Sequence, residues 1–134
     1  MPEAEVLALG RRWLRLAEED LEAAEQMQRS PAFRPRHSCW HAQQAAEKAI
    51  KTALVFEQIP FPFTHDLEQL RELVPSDWAI RRVDADVARL TPWAVEARYP
   101  LRTEPTAEDA REAVGIAELV VRAVQDDADE KGLV

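Results

Sequence analysis

Apolar residues recur at helical spacing through most of the chain. Val6, Leu9, Trp13, Leu16, Ala17, Leu21, Ala24 and Met27 mark one face of a long first helix, predicted from about Glu5 to Gln28 and stopped by Ser30-Pro31. A second helix is predicted from about His37 to Glu57, where Ala42, Ala46, Ala49 and Ala53 form a stripe of small residues that another helix can approach closely. The run Ile59-Pro60-Phe61-Pro62-Phe63 cannot continue that helix, because proline lacks a backbone donor. It is expected to strap the bundle end with its phenylalanines buried. A short helix follows from Asp66 to about Leu73. A third long segment is predicted from Trp78 to Tyr99 on the spacing of Val83, Val87, Leu90, Ala94 and Ala97, with Pro92 kinking or restarting it. Thr106 and Asp109 have the spacing of a capping box, and Ala110, Val114, Ala117, Val121 and Val124 line one face of the helix beyond.

These elements predict an all-α fold, an antiparallel up-and-down bundle of four to five helices. They fill residues 1–134 as one domain with a core over about 5–125, and the acidic tail 126–134 is expected to be flexible. Composition agrees: 46% of residues are hydrophobic and only three are glycine, which favours helices over tight hairpins. One cysteine, Cys39, excludes an internal disulfide and reads as a small core residue. No apolar run has the length of a membrane span, so the expectation is a cytoplasmic protein without a membrane partner.

The net charge of −8 opposes broad binding to nucleic acid backbones. Yet between Arg29 and Val55 stand Arg29, Arg34, Arg36, Lys48 and Lys51 against the single acid Glu47, and this points to a local basic pocket. On the second helix His41, Ala45, Lys48 and Thr52 share a stripe, beside which Gln44, Glu47 and Lys51 form the next. Two readings of this polar row stay open: a buried network that fixes helix register, or a ligand site between helices.

The segment Cys39-Trp40-His41-Ala42-Gln43-Gln44-Ala45-Ala46-Glu47-Lys48-Ala49-Ile50-Lys51 resembles the second helix of the HEPN family, small helical domains of prokaryotes and higher eukaryotes proposed to bind nucleotides. Asp20-Leu21, Thr64-His65-Asp66-Leu67 and Arg98-Tyr99-Pro100 stand in the order that family implies, and the likeness runs from about Leu9 to Val124. The resemblance implies a nucleotide-binding accessory module acting with a minimal nucleotidyltransferase, in some cases within a toxin–antitoxin pair, and a homodimer. The ligand considered is an adenine nucleotide, and the candidate binding residues are His41, Gln44, Lys48, Lys51, His65, Asp66, Arg98 and Tyr99. No catalytic residue is assigned.

Two alternatives remain, a metal-independent ribonuclease toxin and a non-catalytic dimeric scaffold. Ribonucleases of the family use an R-x(4 to 6)-H pair, whose expected place here is Arg98-Tyr99-Pro100-Leu101-Arg102-Thr103, with Thr103 where the histidine is needed. The reading therefore leans away from an enzyme, with RNA a partner only in the alternative. Arg34 and Arg36 also have this spacing to His41. His37 and His41 are one helical turn apart, but two ligands do not make a metal site, and none is assigned.

Overall fold

The computed structural model describes residues 2–96 and 104–134, and among these every regular element is helical. Five α-helices occur: α1 Glu3–Arg29, α2 Pro35–Phe56, α3 Leu67–Glu72, α4 Thr91–Glu96 and α5 Ala107–Glu130, with 3-10 turns at Ala79–Arg81 and Val87–Arg89. The all-α helical bundle is the fold that the periodicity predicts. No helix among the described residues is long and apolar enough to cross a membrane.

Helix α2 is the central stave, packed on α1 along one side and α5 along another. Ala42, Ala46, Ala49 and Ala53 are all fully buried, as their stripe requires, and Cys39 lies in the same core. The ends show how the staves run. Arg36 at the start of α2 bonds Glu104, just before α5, while Arg11 near the start of α1 donates to the Leu133 carbonyl beyond α5. Thus α1 is antiparallel to both α2 and α5, and the intervening segment carries the chain back along the bundle.

That return differs from the third long helix expected over Trp78 to Tyr99. Val87, Leu90 and Ala94 are buried as their spacing suggests, but on two 3-10 turns and the short α4. The physical reason lies in the backbone partners. The Val83 and Ala85 carbonyls accept from the Arg71 guanidinium, so a side chain meets groups that a helical ladder would otherwise pair, while the Ala79 amide at the start of the segment is anchored by the Asp127 carboxylate. Pro92 stands in the first turn of α4, a position where its missing donor costs little. Arg98, Tyr99 and Thr103 lie outside the described residues.

Helix α5 opens on the predicted capping box: Thr106 Oγ1 accepts from the Asp109 amide at 3.0 Å and Asp109 Oδ2 from the Thr106 amide at 2.8 Å. It continues past Asp126, where the acidic tail is expected to fray, to Glu130. Ala128 is fully buried, and Gly132 at φ +70° lets the Leu133 amide return to the Ala128 carbonyl at 2.8 Å.

Gly10 marks a close approach between α1 and the end of α2. A β-carbon there would stand 2.3 Å from the ring of Phe56, which is itself stacked on the fully buried Trp78 at 6.4 Å. Gly10→Ala gains about 1 kcal/mol of helix propensity, but overpacking costs about 1 to 3 kcal/mol. A ring backed by another buried ring cannot yield, so a melting temperature below that of the wild type is expected by calorimetry.

Candidate functional site

The polar residues of α2 meet α1 and the strap after α2 to form two clusters, each centred on one carboxylate. In the first, Asp20 of α1 receives two groups from α2: His41 Nδ1 at 2.9 Å on Oδ1 and Lys48 Nζ at 2.5 Å on Oδ2. Residues 41 and 48 are seven apart, two turns on one helix face, so a single carboxylate on the neighbouring helix reaches both. A carboxylate accepts only, so the His41 proton sits on Nδ1 and Nε2 is the outward nitrogen. The Trp40 ring stands edge-on to the imidazole at 4.8 Å.

The second cluster centres on Glu47, whose side chain is 7% exposed. Its Oε1 accepts from Gln43 Nε2 at 2.9 Å and His65 Nδ1 at 2.8 Å, and its Oε2 from Lys51 Nζ at 3.0 Å. Gln44 extends the chain by donating to Gln43 Oε1 at 2.7 Å. Burial is the largest influence on the carboxyl and pushes its pKa up, yet the hydrogen bonds from His65, Gln43 and Lys51 together outweigh it and hold the group below the ordinary carboxylate range. The Lys51 ammonium also lies 5.2 Å from the Phe61 ring centre and 5.9 Å from that of Trp13, within reach of cation–π attraction. Trp13 and Phe61 meet edge to face at 6.3 Å.

The structure places His41 and Lys48 together on Asp20, and Gln44, Lys51 and His65 together around Gln43 and Glu47, two clusters on neighbouring faces of α2. Their electrostatics differ from the basic pocket read in the sequence, because Asp20 and Glu47 balance Lys48 and Lys51 charge for charge. His65 is oriented by Glu47, while Asp66 caps α3 by accepting the Gln69 amide at 3.2 Å. Arg98 and Tyr99 fall outside the described residues. Asp20, Gln43 and Glu47 are absent from the sequence-derived binding set. A local signal exists for Glu47, four residues after Gln43 and four before Lys51, but Asp20 reaches Lys48 across 28 positions, a pairing that no local pattern encodes.

The other pairs suggested by spacing do not assemble. Arg36 bonds Glu104 at 2.7 Å whereas His41 bonds Asp20, since residues five apart on a helix point to different faces. His37 packs against Phe33 at 6.1 Å, away from the partner of His41. Among the described residues no group of three or more His, Cys, Asp or Glu side chains could hold a metal ion.

A small all-α bundle, with its central helix packed between the first and the last, is the class of fold that these residues build. The HEPN domain model matches residues 11–127, so the chain belongs to the HEPN family. Two solved structures are similar. The crystal structure of TT1696 from Thermus thermophilus has 25% identity and a TM-score of 0.73, the match covering 87% of this chain and 96% of that one. That of ST0689, an archaeal HEPN homologue, has 25% identity and a TM-score of 0.65, covering 88% of this chain and 96% of that one. Among curated proteins none matches.

Proposed function

We propose that the chain is a nucleotide-binding accessory module, working with a separately encoded minimal nucleotidyltransferase, that receives the phosphate of an adenine nucleotide on the open edges of His41 and His65. One observation carries the reading: each imidazole commits Nδ1 to a carboxylate, and Nε2 of neither meets a partner among the described residues. Both rings are partly exposed, so each offers an oriented nitrogen to an incoming ligand. An incoming phosphate favours the protonated rings, which then donate from Nε2. Lys48 and Lys51 are positioning residues here, because their charge is already met by Asp20 and Glu47.

Losing a hydrogen bond to a charged group costs about 1.5 to 3 kcal/mol, roughly a 10- to 150-fold change in affinity. Titration calorimetry with ATP should therefore show binding that weakens at least tenfold in the double variant His41→Gln, His65→Gln. Absence of binding, both by the chain alone and together with the nucleotidyltransferase, would overturn the proposal.

The carboxylate-backed imidazoles favour a second reading as well, metal-independent RNA cleavage. His41, with its own proton held on Nδ1 by Asp20, would take the ribose 2′-hydroxyl proton at Nε2 as that oxygen attacks phosphorus, and the departing 5′-oxygen would take a proton from water. RNA cleavage in the presence of a chelator, lost in His41→Gln, is the result that selects it.

A further inference from the structure

We propose that Phe63 is the platform on which the base of the bound nucleotide stacks, an inference that rests on the reading of His41 and His65 as the phosphate site. The strap is expected from sequence to bury its phenylalanines. Phe61 obeys, lying against Trp13 and Lys51, but Phe63 is 100% exposed. One exposed apolar ring carries no meaning by itself, since large apolar side chains are also exposed at Phe33 and Leu119; what distinguishes Phe63 is its place beside the oriented imidazole of His65.

Its presentation is built rather than incidental. Pro62 fixes the backbone before the ring. After it, Thr64 Oγ1 accepts from the Asp66 amide at 3.0 Å, and Asp66 caps α3. His65, two residues on, is tied to Glu47 on α2. The chain bends at Phe63, between a phenylalanine packed on the bundle and a histidine bonded to it, so the ring is held out rather than free to fold back.

The ring centre of Phe63 is 6.2 Å from that of His65, with the planes tilted by 60°. One short stretch of chain therefore presents an apolar face and, beside it, the outward Nε2 of an oriented imidazole. A nucleotide has the complementary layout, a flat π-face joined through one ribose to an anionic phosphate. Inorganic phosphate or a polyphosphate would use His65 and leave Phe63 bare. Stacking on an aromatic side chain tolerates any base, so the inference assigns nucleotides as a class and Phe63 as the residue that separates them from bare polyphosphates.

The test compares ATP with inorganic triphosphate by calorimetry on the wild type, Phe63→Ala and Phe63→Trp. A fully exposed side chain can be truncated without unfolding the bundle. Wild type should bind ATP more tightly than triphosphate, Phe63→Ala should weaken ATP about 5- to 150-fold while leaving triphosphate unchanged, and Phe63→Trp should restore ATP binding. Equal ATP affinity in wild type and Phe63→Ala overturns the inference alone. So does a Phe63→Ala variant that shifts from dimer to monomer in light scattering with ATP affinity intact, which would make the ring a contact between two copies. Failure of the wild type to bind either compound, both alone and together with the nucleotidyltransferase, overturns this inference and the phosphate reading together.

Discussion

Glu47→Ala is expected to lower the stability of the bundle by about 3 kcal/mol, because removing one member of a buried ionic cluster leaves its partners desolvated and unpaired. Gln43 is fully buried and Lys51 nearly so, and among the described residues neither has another acceptor for the group it gives to Glu47. For a chain of this size such a loss corresponds to a fall of about 10 °C in melting temperature. Glu47→Gln preserves shape and part of the hydrogen bonding, so it should fall between wild type and the alanine variant.

The same carboxylate gives the protein a predictable acid response. Its folded-state pKa lies below the unfolded value of 4.5, so the stabilisation it contributes is complete above about that pH and is lost as pH falls through the folded value. Urea titrations from neutral pH to about pH 3 should show wild type losing stability over that window, with a shallower slope in Glu47→Gln. Parallel curves would mean that Glu47 is not the charged centre of the cluster. Loss of His65 orientation in either variant should also weaken the proposed nucleotide binding, which would tie the fold's polar interior to that proposed site.

What the sequence discloses follows the range of the interactions involved. The staves α1, α2 and α5 are written in local periodicity, and so are the alanine seam of α2 and the capping box of α5, since each depends on residues three or four apart. The row His41, Gln44, Lys48 and Lys51 is legible for the same reason. Its charge balance is not, because Asp20 lies on another helix and lends its carboxylate across the bundle. The return segment misleads because burial of Val87, Leu90 and Ala94 at near-helical intervals is also satisfied by 3-10 turns. What decides between the two is a long-range choice of partner, Arg71 for the Val83 and Ala85 carbonyls. The docked tail does leave a trace: Gly132 stands where a helix ends in a left-handed residue, and Leu133 after it supplies the apolar contact. The acidic run Asp126, Asp127, Asp129 and Glu130 masks that signal.

Trp78→Ala should be the other severe variant, at about 3 to 5 kcal/mol, because it removes a large, fully buried side chain at the junction of three parts of the chain. The indole stacks on Phe56 from the end of α2, its Nε1 donates to Glu57 Oε1 at 2.7 Å, and the Lys131 ammonium lies over the ring at 5.3 Å. Lys131 in turn pairs with Asp77 at 2.7 Å, so the segment after α3 and the end of α5 are fastened at the same point. Without the ring, Phe56 loses its backing and the return segment loses its first anchor. Trp78→Phe separates the contributions: it keeps most of the buried area and the stacking but deletes the donor to Glu57, whose carboxylate is exposed and can turn to water. That variant should cost about 1 kcal/mol. Chemical denaturation of the pair should therefore show a large loss for alanine and a small one for phenylalanine. Equal losses would place the stabilisation in the indole hydrogen bond instead of in the packed ring.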